Sequence, residues 1–215
     1  MRPRLQVTRC KRCRIFGFYN CRPAHVRVKV ETAFQPALCV PGLIMCLGME
    51  MDSAEILVLQ ASYSNPLHAE AIGIVLNHYA EDPMGGGQPL DPDLLRRLPE
   101  ELARRPHAFS VLAFVGGEPA GLVNCFEGFS TFACKPLVNV HDVAVVSQFR
   151  GLGLSQKMLR KVEEIARQRG CCKITLEVLE GNAVAQNAYS KFGFTPGMFN
   201  PDHGRMLFWI KTLQA

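Results

Sequence analysis

The sequence lacks any uninterrupted apolar run approaching the roughly 20 residues that a membrane-spanning helix needs. No secretory signal opens it, and no segment of it repeats. We therefore expect no membrane partner. The chain has 215 residues, of which 48% are hydrophobic, and this combination is typical of one globular domain with a full core.

Acidic residues are scarce before Met49: this segment contains nine basic residues and a single acidic one, Glu31. That segment has a charge of +8 and the remainder a charge of −3, so the overall +5 does not describe the rest of the chain. A nucleic-acid surface would need basic residues clustered on the folded domain. We therefore expect no nucleic-acid partner, and a nucleic-acid-binding function rests on the basic segment alone.

Residues 1–50 show no sustained hydrophobic period and mix arginine, cysteine and proline. Three interpretations stay open. The true start is Met49 or Met51, or the segment is an arginine-rich targeting peptide. The third is a zinc site at Cys10 and Cys13, although no second cysteine or histidine pair completes four ligands. We predict a leader at 1–50 and a folded domain at 51–215.

Cysteine is present in an odd number, nine, in a chain that is not small. Both facts favour a reduced, cytoplasmic protein with free thiols over a disulfide framework. Cys171 and Cys172 stand at the start of a predicted strand, and we expect both in the core.

The pattern from residue 55 onward predicts a single mixed α/β domain. Asn65-Pro66 and Asp91-Pro92 each place a capping side chain before a proline, which marks the start of a helix. The expected order is a strand at 55–61, two helices, strands at 109–115, 120–125 and 137–146, a helix that ends at Gly170, a strand at 173–179, a helix at 182–192 and a strand at 205–213.

The loop 148–155 joins the apolar strand 137–146 to an amphipathic helix. The first N–H groups of a helix have no internal partners, and glycines let an anion approach the backbone closely. The loop therefore suits a phosphate group, although glycines here can also serve only as a turn. It has neither the Gly-Lys-Ser/Thr of a Walker loop nor the spacing of a dinucleotide-binding loop.

Four pieces in this order and spacing resemble the GNAT superfamily of acyltransferases, in particular its small, bacterial-type acetyltransferases. The resemblance covers residues 109–194. The pieces are His141-Asp142-Val143-Ala144-Val145, then Arg150-Gly151-Leu152-Gly153-Leu154-Ser155, then Gly170 to Val178, and finally Asn182, Ala185, Tyr189, Gly193 and Phe194. Ser155 departs from the glycine or alanine that the family usually has.

The resemblance implies a mixed, centrally splayed β-sheet flanked by helices, and makes 51–215 an N-acetyltransferase domain. It implies acetyl-CoA as co-substrate, no metal, and direct transfer to a primary amine of a small molecule such as a polyamine or an amino-acid-like compound. The implied cofactor-binding residues are Val143, Ala144, Val145, Arg150, Gly151, Leu152, Gly153, Leu154, Ser155, Asn182, Ala185 and Tyr189.

Two proton-transfer roles also follow from the resemblance. His141 occupies a position where relatives have a proton acceptor, and an imidazole suits general-base work near neutral pH. Asp142 is the reserve base, facing the other side of a regular strand unless a bulge changes this; Glu177 is a weaker candidate. Tyr189 is expected to protonate the departing thiolate. The plainer alternatives are a buried core histidine and a tyrosine that only packs.

The acceptor is expected beside an aromatic stretch before the central strand: Phe126, Phe129 and Phe132 would form a wall and Glu127 would attract an ammonium group. Strand packing around a turn explains the same residues equally well. Two other functions stay open, an acyl-CoA sensor without turnover and an acetyltransferase for a protein amine. A homodimer is possible by analogy.

Overall fold

The computed structural model describes residues 55–197 and 208–213. The leader at 1–50 lies outside the described residues, and its three interpretations stay predictions. The elements are β1 (Ile56–Gln60), α1 (Pro66–Glu81), α2 (Pro92–Ala103), β2 (Ala108–Val115), β3 (Glu118–Ser130), β4 (Lys135–Val145), α3 (Leu154–Gln168), β5 (Ile174–Leu176) and α4 (Ala183–Phe192), with a single 3-10 turn at Ser147–Phe149.

The sheet has its five strands in chain order, β1-β2-β3-β4-β5. The first four pair antiparallel, whereas β4 and β5 run parallel. Helices cover both faces, so the expected mixed α/β fold is confirmed. The helix α3 packs on one face, with Met158 and Val162 against Val123 and Val140. The helix α1 packs on the other, with Ile72 and Val75 among the residues buried against Leu112 and Leu122. We call these the α3 face and the α1 face.

Both predicted helix starts are confirmed at the level of atoms. The Asn65 side chain accepts a hydrogen bond from the N–H of Leu67 at 3.0 Å, and Asp91 accepts one from the N–H of Asp93 at 2.7 Å. A proline follows each cap. The local sequence alone therefore determines where α1 and α2 begin.

Three predicted strands differ from those observed. The strand β3 continues to Ser130, which pairs with Lys135. Most of the predicted aromatic stretch, including Phe126 and Phe129, therefore belongs to the β3–β4 hairpin. The strand β5 ends at Leu176 rather than residue 179, because β4 pairs with it only as far as Val140. The predicted strand 205–213 is wrong for residues 208–213, which lie exposed without a strand partner; residues 205–207 lie outside the described part.

The expectation that both adjacent cysteines lie in the core is also wrong. Cys172 is exposed and Cys171 is only partly buried, because the strand that was to hold them begins later, at Ile174. Of the four cysteines in the described residues, Cys125 is the buried one; it lies on the α3 face, and burial raises its pKa. No helix within the described ranges is long and apolar enough to cross a membrane.

Candidate active site

The sheet opens between β4 and β5. Their parallel pairing ends where Val140 lies beside Leu176. From Asp142 to Val145, β4 still pairs with β3 on one side, but no strand of the described chain lies along its other side. We call residues 141–145 the open edge of β4. An open edge leaves backbone N–H and C=O groups without ladder partners, which is the arrangement that an extended ligand can complete.

A bulge at His141 determines which N–H groups face the opening. Asp142 pairs with Asn124 and Val140 pairs with Cys125, so His141 is the extra residue. Beyond the bulge the N–H of Val146 donates to Ala120 of β3 at 2.9 Å. Because successive N–H groups alternate between the two edges of a strand, those of Val143 and Val145 point to the open edge.

The glycine loop lies at the end of this edge and is built for close backbone approach. Gly151 and Gly153 have left-handed φ values of 87° and 70°, which glycine adopts without strain. A Cβ placed on either would meet no atom within 4 Å, so open space faces both. The helix α3 begins after Gly153 with no side-chain cap. The loop therefore has the backbone conformation and the open space that a phosphate group needs, and its binding of a pyrophosphate stays a prediction.

The side chain of Arg150, which the resemblance places among the cofactor-binding residues, has its partners within the protein. Its guanidinium donates to Asp82 at 2.8 Å and, through Nε, to the carbonyl of Val145 at 3.3 Å. The hydrogen bond from Arg150, followed by one from the N–H of Met84, lowers the pKa of Asp82. Arg150 thus ties the loop to the end of α1, and its charge is shared with a carboxylate rather than left free at the rim.

His141 is not a core histidine, because 66% of its side chain is exposed. Its ring stands edge-on to Phe126, with centroids 5.6 Å apart. Its Nδ1 lies 3.8 Å from Oδ1 of Asp142, while Oδ2 of Asp142 accepts a hydrogen bond from Asn124 at 3.0 Å. Phe126 and Asn124 share one face of β3, so the bulge brings His141 and Asp142 to the same face of the sheet, the α1 face.

Tyr189 extends from α4, and burial together with the nearby Tyr79 raises its pKa to about 12. Burial also raises the pKa of Tyr79, and the negative charges of Asp142 and Asp82 add to that rise. Tyr79 therefore lies within electrostatic reach of both Asp142 and Tyr189. The sequence analysis did not name Tyr79 as a site residue; the available signal was its hydroxyl at the end of the apolar stripe formed by Ile72, Val75 and Leu76 of α1.

Among the other predicted cofactor-binding residues, Asn182 caps a helix and the side chain of Leu154 is buried. The side-chain oxygen of Asn182 accepts from the N–H of Ala185 at 3.0 Å and so caps α4. The side chain of Gln156 on α3 donates to the carbonyl of Ala188 at 2.7 Å, which ties α4 to the helix behind the glycine loop. Leu154 is buried, so only its backbone is available to a ligand.

The predicted acceptor wall is only partly assembled. Phe126 lies beside His141, whereas Phe129 and Phe132 are exposed at the far end of the β3–β4 hairpin. Glu127 follows Phe126 and thus faces the α3 side, where it pairs with Arg169 at 3.0 Å. The structure therefore brings Phe126, but not the other three, to the open edge.

Two points complete the description of the site: the hydrogen-bond partner of Glu177 and the search for metal-ligating side chains. Glu177, the weaker base candidate, accepts from the side chain of Asn139 at 3.3 Å, just beyond the last paired residues of β5. Across residues 55–197 and 208–213 there is no group of histidine, cysteine and carboxylate side chains that could hold a metal ion.

Comparison with known proteins identifies the family. The sequence profile described as "Acetyltransferase (GNAT) family" matches residues 74–194, more than half of the chain. Thialysine N-epsilon-acetyltransferase of Caenorhabditis elegans is 31% identical over 125 residues, which are 58% of this chain and 75% of that protein. Other thialysine N-epsilon-acetyltransferases match over shorter stretches, a third to a half of their length.

Solved structures show the same fold. A probable acetyltransferase superposes with a TM-score of 0.61 at 20% identity, covering 73% of this chain and 99% of that one. Aminoglycoside N-acetyltransferase AAC(6')-Iy in complex with CoA superposes with a TM-score of 0.57 at 17% identity, covering 74% and 97%. The open edge, the glycine loop and these matches agree: the chain belongs to the GNAT family of acetyltransferases and is an N-acetyltransferase.

Proposed function

We propose that this enzyme transfers the acetyl group of acetyl-CoA to a primary amine of a small molecule, by direct attack in a ternary complex. The observation that supports this best is the bulge at His141. It turns the N–H groups of Val143 and Val145 to the open edge of β4. It also places His141 beside that edge, next to Phe126.

The cofactor site consists of two backbone stretches. The N–H groups of Val143 and Val145 pair with the extended pantetheine arm, as an added strand would. The N–H groups from Gly151 to Ser155 hold the pyrophosphate at the start of α3. Acetyl-CoA supplies the acetyl group as a thioester with a good thiolate leaving group.

His141 accepts the proton of the acceptor amine. Most of its side chain is exposed, and its Nδ1 lies on the side of Asp142. A primary amine is protonated at neutral pH and must lose a proton before it can attack a carbonyl carbon, so a neutral imidazole nearby is the group that the chemistry requires. The bulged backbone beside His141 offers an N–H to the carbonyl oxygen, a contact of a kind worth about 3 kcal/mol in comparable sites.

Tyr189 holds a proton at its phenol oxygen and is the donor to the departing sulfur. Because its pKa is raised to about 12, the phenol stays neutral across the physiological range. Tyr189 belongs to α4, which the side chain of Gln156 ties to α3. Because α3 begins at the glycine loop, the position of α4 is fixed relative to that loop.

A small amine is the acceptor that the family relatives favour, since the relatives named above act by their names on thialysine or on an aminoglycoside. The carboxylate of Asp142 at the open edge suits a cationic acceptor. A protein amine and a sensor that holds acetyl-CoA without turnover are the competing functions. A cytoplasmic location and a homodimer stay predictions.

The test is turnover of a panel of small amines by the full-length chain, with released CoA thiol as the readout. We include polyamines, lysine analogues, aminoglycosides and a peptide with a free N-terminus. Amine-dependent thiol release, with acetyl found on the amine by mass spectrometry, supports the proposal. Acetylation of the peptide alone would replace it by a protein substrate. Tight acetyl-CoA binding with no turnover of any amine would favour the sensor.

A further inference from the structure

Four polar side chains cross the sheet in a continuous row that ends at the active site. The hydroxyl of Tyr63 lies 3.0 Å from that of Ser110. Ser110 Oγ lies 2.7 Å from Oδ1 of Asn124, and Asn124 Nδ2 lies 3.0 Å from Oδ2 of Asp142. Ser110 pairs with Asn124 and Asn124 with Asp142 in the strand register, so the row runs straight across β2, β3 and β4. We call these residues the polar row.

The polar row lies inside the core. Ser110 is 0% exposed and Asn124 is 4% exposed. On the same face, the residues two positions away in β2 and β3 are the apolar Leu112 and Leu122. Polar groups at such sites cost stability unless they are fully hydrogen-bonded. No buried side-chain nitrogen or oxygen of the described residues lacks a partner, so the row is satisfied.

Every hydrogen bond in the polar row points towards Asp142. A carboxylate can only accept, so Asn124 donates from its amide nitrogen and turns its oxygen to Ser110. Ser110 then donates to that oxygen, and its own oxygen accepts from Tyr63. The row therefore fixes the rotation of the Asp142 carboxylate about its own axis, with Oδ2 towards the core and Oδ1 outward.

The outward oxygen faces the proposed base. Oδ1 of Asp142 is 3.8 Å from Nδ1 of His141, too far for a hydrogen bond but close enough for its charge to favour a proton on Nδ1. Among the described residues, Tyr79 of α1 and Cys125 of β3 are two further titratable groups that interact with the charge of Asp142. Neither is a cation that would compete with His141 for the carboxylate.

We propose that Tyr63, Ser110 and Asn124 are positioning residues that hold Asp142 so that His141 is protonated on Nδ1, leaving Nε2 free for the acceptor amine. This rests on the proposed role of His141 as base. In this arrangement His141 and Asp142, adjacent residues of the bulged strand β4, act together as the general base.

Asn124→Leu in the full-length chain is the first test. Leucine keeps the shape of asparagine but removes the donor to Asp142 and the acceptor for Ser110. We expect kcat to fall at least about tenfold, with the KM for acetyl-CoA within about twofold of wild type. Val123→Ala is the matched control, because Val123 is the preceding residue of β3, is fully buried, and faces the opposite side.

Coupling to Asp142 separates positioning from general stability. In an Asp142→Asn background, adding Asn124→Leu is expected to change kcat by less than about twofold, because the carboxylate that the row holds is already absent. Additive losses, or a loss in Asn124→Leu no larger than in the control, would overturn the proposal. If Asn124→Leu does not fold, Ser110→Ala and Tyr63→Phe are judged by the same criteria.

A second readout needs no turnover. Nitrogen-15 spectra of the imidazoles, with His141 assigned by its loss in His141→Gln, report which ring nitrogen holds the proton. We expect the Nδ1–H tautomer in wild type and a mixed population in Asn124→Leu. A tautomer that responds to Asn124 in a protein without amine turnover would support the polar row and sink the proposed function. Turnover of an amine, with both the His141 tautomer and kcat unchanged in Asn124→Leu, would support the proposed function and overturn the role of the polar row.

Discussion

The backbone N–H groups of Val138 and Val146 point to opposite edges of β4, although the two residues are an even number of positions apart. Val138 donates to Lys173, just before β5, at 3.1 Å, and Val146 donates to Ala120 of β3 at 2.9 Å. In a regular strand both would face the same edge. The one extra residue at His141 reverses the alternation, so the N–H groups of Val143 and Val145 face the open edge in place of those of Asp142 and Ala144.

Replacing His141 with glutamine tests the proposed base. Glutamine keeps a polar side chain at the bulge but cannot accept a proton, so we expect kcat to fall about 100-fold. Acetyl-CoA affinity should stay within about twofold, because the proposed contacts there are backbone groups. Steady-state kinetics and calorimetry measure the two quantities. Glu177→Gln is the control, and a larger loss in that variant would transfer the base role to Glu177.

Replacing Tyr189 with phenylalanine removes the proposed proton donor and keeps the ring that packs edge-on against Phe194. We expect kcat to fall about 100-fold with little change in stability. Tyr79→Phe makes the same chemical change on α1 and should cost less than about threefold. If Tyr79→Phe were the more damaging variant, Tyr79 would be the donor.

The raised pKa of Tyr189 also predicts the alkaline behaviour of the enzyme. A phenol with a pKa of about 12 keeps its proton well above the ordinary tyrosine value of 10.0. At saturating amine, kcat should therefore not fall between about pH 8.5 and pH 10.5. A decline centred near pH 10 that is absent from Tyr189→Phe would show an unshifted donor and contradict the account.

The ion pair between Asp82 and Arg150 predicts a pH-dependent contribution to stability. Because the pKa of Asp82 is lowered from 3.8, the contribution is complete above about pH 5 and is lost as pH falls through the lower folded-state value. Because more than half of the Arg150 side chain is exposed to solvent, Asp82→Asn should lower the melting temperature at pH 7 by only about 1–3 °C. The difference from wild type should shrink below pH 3.8; a constant difference would exclude the ion pair as its cause.

Gly85 supports the end of α1, where Tyr79 and Asp82 lie. A Cβ on Gly85 would stand 1.9 Å from the carbonyl oxygen of Tyr79, a backbone atom that cannot move aside without unwinding the helix end. We expect Gly85→Ala to lower the free energy of unfolding by about 1–3 kcal/mol and to reduce kcat. Gly181→Ala, where a Cβ meets nothing within 4 Å, should change stability by less than about 0.5 kcal/mol.

The sequence predicted those parts of the fold that are determined by residues close together along the chain. The caps Asn65 and Asp91 and the left-handed Gly153 each act through their own backbone, so their positions could be inferred from the sequence. The early end of β5 could not, because it depends on the bulge in another strand.

Long-range partners were the part of the site that the sequence could not supply. Arg150 and Asp82 are 68 residues apart, and Glu127 and Arg169 are 42 apart. Nothing local marks either pairing, so the sequence placed Arg150 with the cofactor and Glu127 with the acceptor. The electrostatic interaction of Tyr79 with both Asp142 and Tyr189 likewise follows only from the packing of α1 on the sheet.

Acetyl-CoA titration by calorimetry into the full-length chain and two glycine variants tests the central claim most directly. Gly153 and Gly170 both have a φ of 70°, and a Cβ on either would face open space. Glutamate therefore imposes the same backbone strain at both, but only Gly153 belongs to the loop proposed to hold the pyrophosphate. We predict saturable binding to wild type and Gly170→Glu, and none to folded Gly153→Glu. Binding to Gly153→Glu as tight as to Gly170→Glu, or no binding to wild type, would contradict the account.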